Sequence, residues 1–445
     1  MGLTGLDIFK QLPKTNCGDC GVPTCLAFAM KLAQKQASLD QCPHVSDAAK
    51  AALEGASAPP IKLVTIGAGD RKLEVGNETV LFRHEETFYH PTGLAVLVDA
   101  GLPAEELAAR VQALGEAAFE RVGQTLRLDA VALQGEGEAF VNAAKLLAEK
   151  SAVPLILMND DPAVMGQALE ACASKRPLLY AATAENLGAM AALAKQHNCP
   201  LVVRGEDLSS LAELSEKAQA AGVADLVLDS GARTVGALLA NETAIRRAAL
   251  RRRFRPFGFP TIVLSSAEDP AAEVMEASTY ISKYAGIVVL RNAEPWALLA
   301  LVTARQNIYT DPQKPIQIEQ GLYEIGTPNE HSPVLVTTNF SLTYFTVEGD
   351  VEASRVPAWV VVVDTEGTSV LTAWAAEKFT PASIAERVRA TEVGSKVKHR
   401  KLIIPGHVAV LSGKLEEELG DEWQVIVGPR ESSGIPSFLR SSWQA

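Results

Sequence analysis

The sequence predicts an α/β protein with three units: a small helical unit, a central (β/α)8 barrel of the TIM type and a C-terminal Rossmann-like domain. Three observations support this division. Four of the six cysteines lie close together near the start, eight short apolar runs alternate with amphipathic stretches in the middle, and a second α/β alternation follows a turn-rich joint. We place the units at residues 1–57, 58–312 and 313–445.

The composition excludes several classes of protein. With 47% hydrophobic and 21% charged residues in 445, the chain has the balance of an ordinary globular protein and is long enough to fill several cores. A net charge of −12 argues against nucleic acid as a main partner. No apolar run reaches the roughly 20 residues of a membrane span, and the first residues lack the pattern of a signal peptide. We therefore expect a cytoplasmic protein with no nucleic-acid or membrane partner.

The first unit is organised by four cysteines, Cys17, Cys20, Cys25 and Cys42, in the spacing C-x2-C-x4-C-x16-C. Thiolates this close together bind a metal centre or form disulfides. The glycines between them allow tight backbone turns, and the proline before Cys25 predicts a helix whose positive end lies at that thiol. A helix N-terminus stabilises a thiolate and a negatively charged cluster. The pattern favours a 4Fe–4S cluster, with zinc as the alternative and disulfides least favoured.

The apolar pattern around the cysteines predicts short helices at Thr4–Leu12, Pro23–Gln36 and Ser46–Leu53. So little apolar mass rarely forms a core by itself, and we expect a bound metal centre to stabilise the unit. The turn-rich stretch Gly55–Pro60 predicts a linker, so that the first unit would be a mobile appendage.

The middle of the chain contains eight short apolar runs, each continuous enough to form a strand buried on both faces. Alanine-rich amphipathic helices lie between them. Eight such units in series are what a closed barrel needs, and an open doubly wound sheet is the alternative. A β-hairpin is predicted at 61–83, and the connector 103–122 is predicted to be helical. The eight runs are Gly93–Val98, Leu128–Leu133, Pro154–Met158, Pro177–Ala181, Pro200–Val203, Ala224–Leu228, Pro260–Leu264 and Gly286–Leu290.

Polar residues follow several of these strands, at the end of the barrel where barrel enzymes carry their active sites. No metal-ligand set or nucleophile–base pair stands out, and we expect most of these residues to cap the following helices. Cys172 and Cys199 are interpreted as small buried hydrophobic residues. The strand-end residues are Asp99, Asn159, Asp160, Arg204, Glu206, Asp229, Ser265 and Asn292.

Beyond a joint at Asp311–Pro315, a shorter α/β alternation predicts a small, mostly parallel, Rossmann-like sheet. No G-x-G-x-x-G follows its first strand and no P-loop sequence occurs, so NAD and ATP are poorly supported. The predicted strands are Pro333–Thr337, Trp359–Val363, Lys401–Ile404 and Trp423–Val427, and the predicted helices are Phe340–Val347, Val370–Phe379, Ala382–Arg389 and Val408–Leu419.

The loops after these four strands are rich in Gly, Ser and Thr and carry little charge. In a sheet of this kind the ligand lies outside the carboxyl ends of the strands, so the four loops would converge on it. Backbone N–H and hydroxyl groups suit a large neutral ligand with amide groups better than a triphosphate. The same residue types are common in turns, and composition alone leaves both interpretations open.

The three parts together resemble the large (gamma) subunit family of the corrinoid iron–sulfur proteins of the reductive acetyl-CoA (Wood–Ljungdahl) pathway. The block Leu12–Ala29 with Cys42 and the following proline is similar to the cluster motif of that family. The stretches 336–343 and 364–373 are similar to its C-terminal domain. The resemblance covers essentially the whole chain, and the cysteine block is its most specific part.

The resemblance implies a corrinoid methyl carrier, a methyltransferase component that acts with partner enzymes. It implies a 4Fe–4S cluster on the four cysteines and a cobalamin-type corrinoid bound base-off by the C-terminal domain. Accordingly, the D-x-H-x-x-G motif that supplies an axial histidine elsewhere is absent. Cobalt(I) would accept methyl from methyltetrahydrofolate through a separate methyltransferase and donate it to the nickel site of acetyl-CoA synthase, and the cluster would reactivate cobalt(II). The implied partners are a small barrel subunit in a heterodimer, that methyltransferase, CO dehydrogenase/acetyl-CoA synthase and a low-potential electron donor such as ferredoxin.

From the four loops and the resemblance together we predict a set of corrinoid contacts. Two alternatives remain: a ferredoxin-like redox subunit whose C-terminal domain binds another protein or a flavin, and a barrel enzyme that acts on a pterin through Asp99, Asn159 and Asp229. The predicted corrinoid contacts are Asn339, Phe340, Ser341, Thr343, Thr346, Gly367, Thr368, Ser369, Val370, Leu371, Thr372, Ala373, Pro405, Gly406, Gly428, Ser432, Ser433 and Gly434.

Overall fold

The computed structural model describes residues 5–33, 37, 39–46, 49, 59–311, 315–420 and 423–444. Most of the predicted helix 46–53, most of the predicted linkers at 55–60 and 311–315, and the two unit boundaries lie outside the described residues. Among the residues that are described, none of the helices has the length and apolar content needed to span a membrane.

The described part of the cysteine unit includes the helices Gly5–Gln11 and Cys25–Ala33 and a 3-10 turn at Leu39–Gln41. The two helices pack against each other through a small core that includes Ile8 and Phe28. The second helix begins at Cys25, as predicted from the proline two residues earlier. Cys25, Cys42 and the half-buried Cys20 pack in this same core, so three of the four cysteines contribute to the local packing.

The strands of the central unit occur singly between helices, apart from two short hairpins. In chain order they are β1 Val64–Ile66, β2 Leu73–Val75, β3 Gly93–Asp99, β4 Ala118–Arg121, β5 Gln124–Arg127, β6 Ala130–Gln134, β7 Leu155–Met158, β8 Leu178–Ala182, β9 Leu201–Arg204, β10 Leu226–Asp229, β11 Ile262–Leu264 and β12 Ile287–Leu290.

Eight of these strands form one parallel sheet in the order β10-β9-β8-β7-β6-β3-β12-β11. The sheet closes because β10 and the start of β11 are bridged, with the N–H of Leu228 donating to the carbonyl of Pro260 at 2.8 Å. The predicted (β/α)8 barrel is therefore confirmed. The β1–β2 hairpin packs its apolar side chains into the barrel interior at the amino end of the strands, which leaves the carboxyl end open.

The helices of the barrel surround the sheet and cover its outer face. The large core between them is apolar and includes Cys172 and Cys199, both buried as predicted. Burial raises the pKa of Cys172 to about 12 and that of Cys199 to about 11, so both thiols stay protonated. The helices are Ala104–Glu116, Gly137–Lys150, Pro162–Cys172, Leu187–His197, Leu208–Ala220, Val235–Arg251, Pro270–Ser282 and Pro295–Tyr309.

Two local predictions for this unit were wrong. The connector 103–122 is helical only to Glu116 and continues as the β4–β5 hairpin, whose turn residues Val122 and Gly123 both have positive φ. The predicted hairpin 61–83 is confirmed for β1 and β2, but its last part, residues 78–83, is irregular and not a strand. The reason is that Glu78 is buried and its carboxylate accepts the N–H groups of Tyr89 and His90, which turns the chain inward.

The C-terminal unit is a five-stranded sheet in the order β13-β15-β14-β16-β17. β14 to β17 are parallel, as predicted, whereas β13 is an antiparallel edge strand that the sequence did not predict. The strands are β13 Gly321–Ile325, β14 Val334–Thr338, β15 Ala358–Val363, β16 Lys401–Ile404 and β17 Gln424–Val427, and the helices are Ser341–Ser354, Val370–Ala375, Pro381–Ala390, Val393–Lys396, Ser412–Leu419 and Ile435–Ser441, with 3-10 turns at Gly406–Leu411 and Ser432–Gly434.

Candidate functional site

The strand order of the C-terminal sheet reverses between β14 and β16. The chain passes from β14 to β15 on one side and then to β16 on the other, so its connections leave the sheet in opposite directions at this point. In open parallel sheets such a reversal creates a crevice at the carboxyl ends of the two strands, where ligands bind. The loops after β14, β15 and β16 therefore bound the candidate site.

Asn339, buried directly after β14, holds the loop after β15 in place. Its side-chain oxygen accepts hydrogen bonds from the N–H groups of Thr365 at 2.9 Å and Gly367 at 3.0 Å. Its side-chain NH2 donates to Asp364 at 2.9 Å and to Gln317 at 3.2 Å. Since the amide is occupied within the chain, its role in the structure is to position the loop, and its contact with a ligand stays a prediction.

Three buried hydroxyl groups at the end of β14, those of Thr337, Thr338 and Ser341, have no hydrogen-bond partner among the described residues. They are three of seven such atoms found in the described part of the chain, and they lie within five residues of one another. A buried hydroxyl without a partner costs about 1–3 kcal/mol. Such a group calls for a partner that the described residues do not supply, such as an ordered water, an ion or a ligand.

The loops after β16 and β17 touch each other through their backbones. A Cβ atom on Gly406 would lie 2.5 Å from the carbonyl oxygen of Gly428 and 2.8 Å from the nitrogen of Arg430. The N–H of Gly406 also donates to the carbonyl of Pro429 at 2.9 Å. Any side chain at Gly406 would push the two loops apart. Only glycine therefore allows this close backbone contact between the loops after β16 and β17.

The same edge carries a row of exposed apolar side chains. Among the described residues from 315 onwards, every large apolar side chain that is exposed lies at the carboxyl end of a parallel strand or in the segment that follows it, with exposures between 41% and 73%. Large apolar groups that are exposed together are typical of a binding surface. This set, the apolar rim, consists of Leu342, Leu371, Trp374, Val410 and Val427.

The structure places the predicted contact residues in this region with different degrees of access. Gly367, Ala373 and Gly406 are buried, whereas Leu371 and Thr372 are exposed at the crevice. Most of the others are half-buried in the same loops, and the 3-10 turn Ser432–Gly434 packs against the helix that follows β14. Sequence reasoning missed Thr337, Thr338 and Trp374, and a period-2 strand pattern gives no sign that two successive threonines are both buried.

Only one described histidine of this unit lies at the carboxyl edge of the sheet. His407 follows β16, and its Nε2 atom lies 3.3 Å from a carboxylate oxygen of Glu431. His331 and His399 lie at the amino end of the strands, and His399 contacts the carbonyl of Ser332 at 2.9 Å. Burial lowers the pKa of His399, which keeps its ring neutral.

The four cysteines of the cysteine unit are free thiols that differ in their exposure to solvent. Cys25 and Cys42 are buried, Cys20 is half-buried and packs on the same core, and Cys17 is exposed. The N–H of Asn16 points at the sulfur of Cys25 at 3.4 Å, and the side chain of Asn16 accepts the N–H of Cys25 at 2.9 Å. An N–H aimed at a sulfur stabilises a thiolate, so the donor set fits a metal–sulfur centre.

Turns between the cysteines have the geometry that the glycines predict. Gly18 has φ +82° and Gly21 has φ +76°, and the N–H of Gly21 donates to the carbonyl of Gly18 at 2.9 Å. Asp19 and His44 contact each other at 2.7 Å beside Cys17. The hydrogen bonds from His44 and then from Cys17 hold the pKa of Asp19 below its ordinary value. The ligand atoms of Cys17, Asp19 and His44 lie within 4.8 Å of one another, so Asp19 and His44 could also bind a metal beside Cys17.

The strand-end residues of the barrel are mostly committed to internal structure. Asp229 is fully buried and accepts hydrogen bonds from the hydroxyl of Tyr180 at 2.7 Å and from Arg233 at 2.8 Å. Asn159 donates to the carbonyl of Gly135 at 2.7 Å. The expectation that the named strand-end acids cap helices was wrong in detail, because the N-caps are the nearby Asp161, Asp207 and Asp269.

Comparison with known proteins shows relatives that cover 99% of the chain. A family model for the CO dehydrogenase/acetyl-CoA synthase delta subunit matches residues 63–439, and a model for an Fe–S cluster matches residues 12–44. The corrinoid/iron–sulfur protein large subunit of Moorella thermoacetica is 52% identical over 445 residues, with 99% of each chain covered. The chain belongs to this large-subunit family.

More distant members agree with that assignment. The acetyl-CoA decarbonylase/synthase complex subunit gamma of Methanothermobacter thermautotrophicus is 40% identical over 455 residues, with 99% of each chain covered. The delta-subunit model stops short of the cysteine block, whereas these full-length large and gamma subunits extend across it. Among solved structures, dihydropteroate synthase from Thermus thermophilus matches at 18% identity and a TM-score of 0.39, over 55% of this chain and 99% of that one. At that score the likeness carries no argument, and the fold rests on the strand order.

Proposed function

We propose that this member of the large-subunit family is a corrinoid methyl-group carrier of the acetyl-CoA pathway. Its corrinoid would lie at the carboxyl edge of the C-terminal sheet, and a 4Fe–4S cluster would be held by the four cysteines. The observation that carries the proposal is the coincidence at one edge of three partnerless buried hydroxyls and the apolar rim. A corrin is a broad apolar ring with amide side chains, and it needs both kinds of surface.

The residues of the crevice divide into two roles in this proposal. The hydroxyls of Thr337, Thr338 and Ser341 would gain partners among the amide groups of the ligand, directly or after a small movement of the loops. Leu371 and Trp374 would cover the apolar face of the ring. The asparagine that fixes the loop after β15 would hold these groups in place before the ligand arrives.

The resemblance implies a corrinoid bound without a histidine of the chain. His331 and His399 lie at the amino end of the strands, away from the proposed site, and His407 lies at the carboxyl edge, 3.3 Å from Glu431. When bound, a corrinoid with a weak lower ligand supplies a cobalt(I) nucleophile that accepts and donates a methyl group. The protein would then retain the corrinoid through contacts with the apolar rim and with the loops after the parallel strands.

The cysteine unit would act as an electron relay. Cys17, Cys20, Cys25 and Cys42 would bind the 4Fe–4S cluster, which supplies the single electron that returns cobalt(II) to cobalt(I). The N–H of Asn16 that points at Cys25 would stabilise negative charge on the cluster. The exposed Cys17 would mark the side of the cluster nearest to an electron donor.

The finer steps are also proposals. Methyl would come from methyltetrahydrofolate through a partner methyltransferase and pass to the nickel site of acetyl-CoA synthase. Relatives named as subunits of an acetyl-CoA decarbonylase/synthase complex support a multi-subunit setting. A small barrel subunit would complete a heterodimer, and a ferredoxin would reduce the cluster.

Gly406→Ala tests the position of the corrinoid. Its Cβ would lie 2.5 Å from the backbone of the loop after β17, so the loop after β16 must move, and we expect the purified protein to lose most of its cobalt but keep its iron. Gly413→Ala is the matched control, because a Cβ there meets nothing within 4 Å. Full cobalt content in Gly406→Ala, measured by metal analysis of folded protein, would place the corrinoid elsewhere.

A further inference from the structure

The open end of the barrel contains a hollow whose wall carries three arginines, in a different unit from the proposed corrinoid site. Arg204 ends β9, Arg233 lies in the loop after β10, and Arg291 follows β12. The hollow measures about 360 Å³, which is within the range of small-molecule sites. No carboxylate is among its described lining residues. We call it the arginine hollow.

Hydrogen bonds to Asp229 and Tyr180 fix the side chain of Arg233 in position. Its Nη1 and Nη2 atoms donate to the two oxygens of the buried Asp229 at 3.0 and 2.8 Å, and Nη2 also donates to the hydroxyl of Tyr180 at 3.0 Å. A two-point pair of this kind sets the plane of the guanidinium. The pair balances the charge of Arg233, whose side chain remains 36% exposed.

Arg204 and Arg291 make the hollow positive. Arg204 pairs at 2.9 Å with Asp160, whose side chain is 54% exposed, and such a surface pair contributes only about 0–1 kcal/mol. Arg291 donates through Nε to the carbonyl of Ser265 at 3.3 Å and has no carboxylate partner in the described part of the chain. An anion could therefore bind both guanidinium groups without displacing a strong internal contact.

The floor of the arginine hollow is apolar. The ring of Tyr180 is buried there, with the guanidinium of Arg204 5.7 Å from its centre. Stacking of this kind leaves the guanidinium edge accessible, and in the structure this edge donates to Asp160. The other floor residues are Leu97, Met158, Leu264 and Val289.

An adjoining hollow of about 890 Å³ has the opposite character. Residues shared with the arginine hollow include Tyr180 and Arg204, but its rim carries four exposed acids, Asp99, Glu136, Asp160 and Asp161. These carboxylates repel an anion from that side and leave the arginine hollow as the favourable place for negative charge.

We propose that the arginine hollow binds a small molecule with a phosphate or carboxylate group on a ring-sized apolar body. The anionic group would lie between Arg204 and Arg291 with Arg233 behind it, and the ring would lie on Tyr180 and the aliphatic floor. Nothing in this proposal depends on the corrinoid assignment, because the hollow is formed entirely by barrel residues.

The test uses the complete protein with its cofactors and three probes: phenyl phosphate, benzoate and the neutral benzyl alcohol. Binding is measured by titration calorimetry at low salt for wild type, Arg291→Gln and Arg204→Gln. Arg251→Gln is the matched control, since this exposed arginine ends a helix at the closed end of the barrel. Circular dichroism checks the fold of each variant.

We expect one of the two anions to bind saturably, at least about tenfold more weakly in Arg291→Gln and Arg204→Gln, and unchanged in Arg251→Gln. The tighter of the two anions identifies the phosphate or carboxylate class. Equal affinity in the arginine variants, equally tight benzyl alcohol, or no saturable binding at millimolar concentration would each overturn the proposal. Cobalt and iron contents should be the same in all four proteins, which separates this result from a failure of the corrinoid site.

Discussion

Glu242 provides a quantitative test of the barrel core. It lies on the helix Val235–Arg251, is 2% exposed, and accepts a hydrogen bond from the hydroxyl of Thr261 at 2.5 Å. Burial is the main cause that raises the pKa of Glu242 to about 8, and the charge of Asp229 adds to it. The Thr261 hydrogen bond and Arg246 act in the opposite direction but do not cancel the effect of burial.

The sign of the pH dependence follows from the raised pKa. Between the ordinary value of 4.5 and about 8, the folded protein holds a proton on Glu242 that the unfolded chain has released. The stabilisation is therefore complete below pH 4.5 and is lost as pH rises towards 8, at about 1.4 kcal/mol per pH unit. From pH 6 to pH 8 this amounts to about 2.5 kcal/mol, or roughly 5–10 °C in the melting temperature of a domain of this size.

Glu242→Gln keeps the hydrogen-bond acceptor but removes the titration. Calorimetric melting at pH 6 and pH 8 should show that wild type loses about 2.5 kcal/mol more than the variant over this interval. Glu216→Gln, an exposed glutamate on the adjacent helix, should melt in parallel with wild type at both values. If the Glu242→Gln and wild-type stabilities change in parallel, the carboxyl group titrates normally and our account of its burial is wrong.

Three further predictions concern the cofactor sites and the barrel mouth. Cys20→Ala should remove the iron and the cluster absorption but leave methyl transfer from pre-reduced cobalt intact; a variant that cannot carry methyl even when reduced would refute the relay role. Thr372→Trp places a bulky ring where Thr372 contacts Ser369 at 3.1 Å on the exposed crevice wall, and should lower cobalt retention; unchanged cobalt content would show that this loop does not contact the ligand. Asp229→Asn leaves Arg233 without its charge partner and should destabilise the barrel by about 2–3 kcal/mol, as measured from the melting temperature. A loss of stability below about 0.5 kcal/mol would show that this ion pair contributes little to the stability of the barrel.

Much of the fold was predictable because its strands are continuous apolar runs. All eight barrel strands and the four parallel strands of the last unit overlap the predicted runs. The antiparallel β13, Gly321–Ile325, was missed because it is a half-exposed edge strand that begins with glycine and resembles a loop in composition. The β4–β5 hairpin was missed because its turn puts Val122, a β-branched residue, at positive φ.

The candidate sites were predictable only where their residues are neighbours in the sequence. The four cysteines lie within one short segment, so their spacing alone indicates a shared centre. The arginine hollow combines residues that are far apart in sequence, from Tyr180 to Arg291, and only barrel closure brings them together. The partnerless hydroxyls of Thr337 and Thr338 are a property of packing that composition cannot reveal.

The central claim is that one chain holds both a corrinoid and a four-iron cluster. The most direct measurement is the visible spectrum and metal content of the protein purified without oxygen from cells supplied with corrinoid. Our account predicts about one cobalt and four irons per chain, with corrinoid bands that change on reduction. Protein that contains four irons and no cobalt, yet binds its partner subunits, would contradict it and would favour a redox subunit with a different C-terminal ligand.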